Sequence, residues 1–159
     1  MNKPIIPAIL ISIMIAIPAY ANDFQEGLVA IHETNYKKAL EKLMPLADSG
    51  HAAAQYNIGV MHEWGNGVLQ DNSQALKWYK RSAVQFHKDA QNNLGALYSK
   101  GEGTDQSFVE ALKWFIISAE NGSEGGQKNI RILEKRMSYE KISQAQKLAN
   151  DWMRSHRKK

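Results

Sequence analysis

Ala54-Gln55-Tyr56-Asn57-Ile58-Gly59 returns 36 residues later as Ala90-Gln91-Asn92-Asn93-Leu94-Gly95. The same shift carries Gly65 and Gly67 onto Gly101 and Gly103, and Ala75-Leu76-Lys77-Trp78-Tyr79 onto Ala111-Leu112-Lys113-Trp114-Phe115. Ser82-Ala83 becomes Ser118-Ala119, and no insertion is needed to hold the register. A period of this length marks stacked supersecondary units, each burying its apolar face against the next. It points to a binding surface and away from a closed catalytic core.

Within a repeat the apolar spacing is that of two helices. Ala54, Ile58, Met61 and His62 fall at three- and four-residue offsets, and Ala75, Trp78, Tyr79, Ser82 and Ala83 do the same on a second face. Gly65-Asn66-Gly67 separates them, and its glycines allow the positive φ that stops a helix. Asp71 and Ser107 stand at equivalent positions before the second helix, and both are strong N-caps. Each unit therefore reads as helix A, a Gly-containing loop, then helix B. Gly59 and Gly95 lie inside helix A, where glycine costs about 1 kcal/mol relative to alanine. Their recurrence predicts that helix B approaches closely there. Trp78 and Trp114 read as packing between helices, not as stacking platforms for a cofactor.

The pattern decays toward both ends, as expected of terminal units that meet water on one side. Upstream, Gly27 to Ala30 and Tyr36 to Leu40 form a shortened first repeat over 22–50. Full repeats span 51–86 and 87–122. Downstream, Gln127, Asn129 and Ile130 keep register, but Arg131 replaces the glycine and no Gly-x-Gly loop follows. Ser138 can cap a last helix through Ala145, Leu148, Ala149 and Trp152, so 123–159 reads as a C-terminal helical hairpin cap with a basic tail. About eight helices are predicted, in an all-α solenoid of antiparallel helix pairs.

Ahead of the repeats, Lys3, the apolar stretch Ile5 to Ile17, Pro18 and Ala19-Tyr20-Ala21 fit a secretory signal peptide over 1–21. The run is shorter than the ~18 apolar residues of a membrane span. With no cysteine in the chain, thiolate chemistry, a disulfide frame and a lipid-anchor cysteine are excluded. The expectation is a periplasmic or secreted bacterial protein whose domain covers 22–159. Charge is uneven: 22–130 carries a net −3 and 131–159 a net +6. Arg154, Arg157, Lys158 and Lys159 could touch anionic lipid or cell-wall polymer, or simply complement a helix C-terminus. No nucleic-acid motif is present.

Ala-Gln-x-Asn-[Ile/Leu]-Gly, Gly-x-Gly and Ala-Leu-Lys-Trp-[Tyr/Phe] in fixed order resemble the Sel1-like repeat, a relative of the tetratricopeptide repeat. The resemblance is strong over 51–130 and weaker outside, and it departs at Thr104 and Arg131. It implies a right-handed superhelix with helix A lining a concave face, and work as an adaptor or scaffold, in bacteria often at the envelope. A cysteine-rich branch of the family is associated with β-lactam binding and hydrolysis. This chain lacks the cysteines, so that activity is not carried over.

The resemblance places Asn57, Asn93 and Asn129 in the groove, at one position of three successive helices A. An amide offers donor and acceptor together, which suits a peptide backbone. Equally, such asparagines can brace a neighbouring helix. Tyr56, Val60, Glu63 and Trp64 from one helix, and Asn92, Ala96 and Lys100 from the next, would line the same groove. Lys128, Ile132 and Arg136 would form a basic end suited to an acidic group or a C-terminal carboxylate. No catalytic residue, metal or cofactor is assigned. His62-Glu63 and His32-Glu33 lack the second histidine of a zinc-protease motif, and His51 and His87, related by the repeat, read as surface residues at helix starts. Ser138 to Lys141 matches Ser-x-x-Lys without its companion motifs. The function expected is an exported, non-catalytic adaptor holding a peptide segment or partner protein. An envelope binder acting through the basic cap is the alternative, and a cell-wall or β-lactam-directed hydrolase the third reading.

Overall fold

The caps predicted from the sequence set the element boundaries. Asp71 Oδ1 accepts from the backbone N–H groups of Ser73 and Gln74, and Ser107 Oγ from that of Glu110. Gly65 and Gly101 close their helices at φ of 69° and 73°, the left-handed geometry that glycine adopts without strain. A computed structural model describes residues 22–157 of the chain. The signal peptide expected over 1–21 lies outside the described residues, as do Lys158, Lys159 and the Arg157 side chain.

Eight helices follow in order: α1 over 22–32, α2 (Tyr36–Asp48), α3 (Ala52–Trp64), α4 (Asn72–Ala83), α5 (Lys88–Lys100), α6 (Phe108–Glu120), α7 (Glu124–Glu134) and α8 (Tyr139–Arg157). No strand occurs among the described residues. Helices α3 and α4 pair, as do α5 and α6, and each pair stacks on its neighbours through α2–α3, α4–α5 and α6–α7 contacts. This is the solenoid of antiparallel helix pairs that the period predicts.

Close packing explains the mid-helix glycines. A Cβ on Gly59 would stand 2.7 Å from the Tyr79 ring, and one on Gly95 2.7 Å from the Phe115 ring. The Ala-Gln dipeptides tie each repeat to the one before. Gln55 Nε2 donates to Ala47 O and Gln91 Nε2 to Ala83 O, both at 2.9 Å and both buried. Ser82 and Ser118 donate from Oγ to Ala52 O and Lys88 O at 2.8 Å. These buried polar groups are all satisfied, so they fix the stacking geometry without an orphan cost.

Two features differ from the sequence reading. The final helices do not form a hairpin, because α8 leaves α7 and lies along α6. Its apolar stripe has a better partner there: Ala145 joins a core with Leu112 and Phe115, and Ala149 joins the core of Tyr79 and Leu94. Arg131, Lys135 and Arg136 beside α7 stay exposed. Trp152 packs its ring 5.4 Å from Trp114 and 5.5 Å from Phe86. Phe86 itself has φ of 66°. The matching residues of the flanking repeats, Gly50 and Gly122, also have positive φ. The middle repeat thus holds a phenylalanine in a conformation that disfavours side chains, and its ring is part of the seat for α8.

His51 and His87 are also more than surface residues. Their Nδ1 atoms accept from the backbone N–H groups of Ala54 and Ala90 at 3.1 and 3.3 Å. They are N-caps, a role taken in the next unit by Ser123.

Candidate partner-binding face

The three equivalent asparagines have three different fates, set by the residue facing them from the preceding helix B. That position holds Leu43, then Tyr79, then Phe115. Asn57 has no hydroxyl to reach and donates instead to Ala53 O of its own helix, 2.8 Å away. Asn93 Nδ2 donates to the Tyr79 hydroxyl at 3.2 Å. Asn129 Nδ2 donates to Asn92 Oδ1 at 2.9 Å.

Beyond Asn57 these bonds join into a chain. The Tyr79 hydroxyl donates to Glu63 Oε2 at 2.5 Å, and Asn92 Nδ2 lies 3.5 Å from Asn93 Oδ1. A polar seam therefore runs from Glu63 through Tyr79, Asn93 and Asn92 to Asn129, linking α3, α4, α5 and α7. Burial, reinforced by the neighbouring Glu63 carboxylate, pushes the Tyr79 pKa up. The hydroxyl thus stays protonated and remains a donor.

Tyr56 stacks on the His87 ring at 4.7 Å and is half-buried. Burial raises its hydroxyl pKa. Val60 packs against the same core, so both belong more to the seam between repeats than to an open groove. Trp64 (68% exposed) and Ile132 (50% exposed) do present apolar surface to solvent.

Between α5 and α7 lies a hollow of about 160 Å³. Ala96, Lys100, Asn129, Ile132 and Arg136, all expected in the groove, line it together. Lys128 is not among them. It lies with Ile132, Arg131 and Lys135 on an adjoining open depression of about 590 Å³, which also holds Glu134. Leu133 also lines the smaller hollow, and so do Ser99 and Phe115, which were likewise not expected in the groove. Adding 36 to Glu63 and Tyr79 would have found Ser99 and Phe115. The Arg136 guanidinium rests over the Phe108 ring at 4.7 Å.

On the opposite count, Arg154 of the basic tail is exposed and paired with Asp151. No cluster of three or more metal-ligating side chains and no helix able to cross a membrane occurs among the described residues.

The Sel1 repeat family matches residues 52–83 and 88–123, the two central helix pairs and their loops. The chain carries Sel1 repeats. The Sel1 repeat fold recurs in a crystal structure of a protective antigen present in uropathogenic Escherichia coli strains, described as displaying an SLR fold. It is 30% identical with a TM-score of 0.82, and the match covers 86% of this chain but 30% of the antigen. A Sel1 repeat protein from Oxalobacter formigenes is 29% identical with a TM-score of 0.66, over 79% of this chain and 54% of that one. This chain thus spans about a third of the first relative and about half of the second. No curated protein matches the sequence significantly. Sel1 repeats serve commonly as protein-interaction scaffolds, and helix A residues of this chain meet in a face with polar, apolar and cationic groups side by side.

Proposed function

We propose that the protein is an exported, non-catalytic adaptor that holds a peptide segment of a partner protein on the helix A face of α3, α5 and α7. The single observation that carries this reading is the convergence of Lys100, Asn129, Ile132 and Arg136, from two successive repeats, on one hollow. Exposed Trp64 and Ile132 supply the apolar anchors such a surface uses. The seam beneath holds the helices in fixed register, so the face is organised before a partner arrives. Export rests on the signal-peptide pattern of residues 1–21.

Crosslinking in living cells followed by mass spectrometry tests the reading. The comparison is a variant carrying Trp64→Ala, Lys100→Ala and Ile132→Ala, none of which is buried. Its melting temperature should stay near that of the parent. A partner captured by the parent and lost by the folded variant supports the face. A partner retained by both moves binding elsewhere, and one lost only on truncation after Ser155 moves it to the basic tail. Recovery of the protein from the cytoplasm with residues 1–21 attached would remove export.

A further inference from the structure

The hollow between α5 and α7 sits where the preceding repeat is filled by its own carboxylate. In that repeat Glu63 accepts from Tyr79, and Tyr79 in turn accepts from Asn93. Moving each residue by 36 gives Ser99, Phe115 and Asn129, and all three line the hollow. The acid and the hydroxyl it bonds have been lost together. What remains is a space bordered by the Asn129 amide, Lys100 and Arg136, with Ile132 at the wall. No acid stands among the described residues lining it. The nearest compensating groups are outside. Lys100 Nζ lies 3.4 Å from Glu102 Oε2, an exposed pair of the kind worth little in water. Glu134 lies on the adjoining depression.

We infer that this hollow takes the acidic side chain, glutamate or aspartate, of the bound peptide, which occupies the place Glu63 occupies one repeat earlier. The inference rests on the groove reading above and adds to it the chemistry of the residue recognised. Three observations agree on that chemistry. The internal template for the site is a glutamate. The two cations are free of any acid within the wall itself. The size, about 160 Å³, suits a single side chain and not a folded segment. Arg136 can present its fork to a carboxylate, while Phe108 beneath it limits the guanidinium to one side.

The test uses the purified protein and a library of random dodecapeptides displayed with their C-termini fused, so that no free terminal carboxylate is offered. The best binder is then made as a fluorescent, C-terminally amidated peptide for anisotropy. Enriched peptides should share one Glu or Asp at a fixed register, and replacing it by Gln should weaken binding about tenfold or more, the effect of losing one charge-assisted contact. Arg136→Gln and, separately, Lys100→Gln should weaken the acidic peptide and leave its Gln form nearly unchanged. Ser99→Glu with Phe115→Tyr restores the earlier repeat's own pair, and should abolish the acid preference in a protein whose melting temperature is at least that of the parent. Enriched peptides with no shared acid, or equal binding of the Glu and Gln forms, overturn the inference and leave groove binding standing. Binding found only in a second library with free C-termini overturns it in favour of a chain terminus. A failure of both libraries to enrich any peptide overturns the groove reading on which the inference rests.

Discussion

The Tyr79 hydroxyl donates to Glu63 Oε2 at 2.5 Å across the α3–α4 pair, and 36 residues later both partners are gone, replaced by Phe115 and Ser99. The repeat keeps the ring, which packs closely over Gly95, and drops the polar pair as a unit. Retaining one partner alone would leave a poorly solvated polar group at the centre of the helix A face.

Tyr79→Phe should therefore destabilise the protein by about 1–2 kcal/mol, because Glu63 and Asn93 both lose their partner. Adding Glu63→Ser reproduces the pair found in the following repeat. It should recover part of that loss, so the two substitutions should be non-additive in a double-mutant cycle read by urea unfolding. Additive effects would mean that the bond contributes nothing.

Gly95→Ala tests the close approach. Helix propensity alone predicts a gain of up to about 1 kcal/mol. The new Cβ would stand 2.7 Å from the buried Phe115 ring and 3.0 Å from Ala111 O, however. Overpacking of this kind typically costs about 1–3 kcal/mol. The expected net result is a lower melting temperature by calorimetry.

His87 makes stability sensitive to acid. Burial lowers its pKa below the ordinary 6.5, and its Nδ1 must be unprotonated to cap α5. The unfolded chain therefore binds the proton more readily. Stability is full above about pH 6.5 and falls as pH drops from there through the lower folded value. His62, also lowered by burial, acts in the same direction. His87→Ser copies the Ser123 cap and should flatten the fall in urea midpoint between about pH 7.5 and 5.5, with the remaining slope due in part to His62.

Phe86 and Trp114 hold α8 through its Trp152, and removing these contacts should separate local from global effects. Trp152→Ala should cost about 2–3 kcal/mol, less than for a fully buried tryptophan. Amide exchange should accelerate first in 139–157 and leave the central repeats protected. Phe86→Gly removes the same contact but relieves a positive-φ side chain worth about 1–2 kcal/mol. It should loosen α8 with a smaller loss of overall stability than Trp152→Ala.

The period, four of the caps and the glycine contacts were legible in the chain, whereas the capping histidines His51 and His87 were read only as surface residues. Asp71, Ser107, Gly65 and Gly101 act on groups within a few residues of themselves, so their chemistry is local and their spacing announces it. The mid-helix glycines were legible because they recur against an aromatic 20 residues on, Tyr79 for Gly59 and Phe115 for Gly95. The asparagines were half legible. Their shared position could be read, but whether each points to a hydroxyl, another amide or its own helix depends on a residue in a different repeat.

The sequence alone determined a solenoid and its register, because a 36-residue period and helical apolar spacing leave one consistent way to bury the repeats. Only the tertiary structure decided that Tyr79 joins Asn93 to Glu63, that Ser99 and Phe115 leave a hollow beside Lys100 and Arg136, and that α8 lies on α6 instead of α7. Those outcomes depend on which side chains face one another across separate repeats. A hydrogen bond or a void is settled by that pairing and not by either residue's place in the chain.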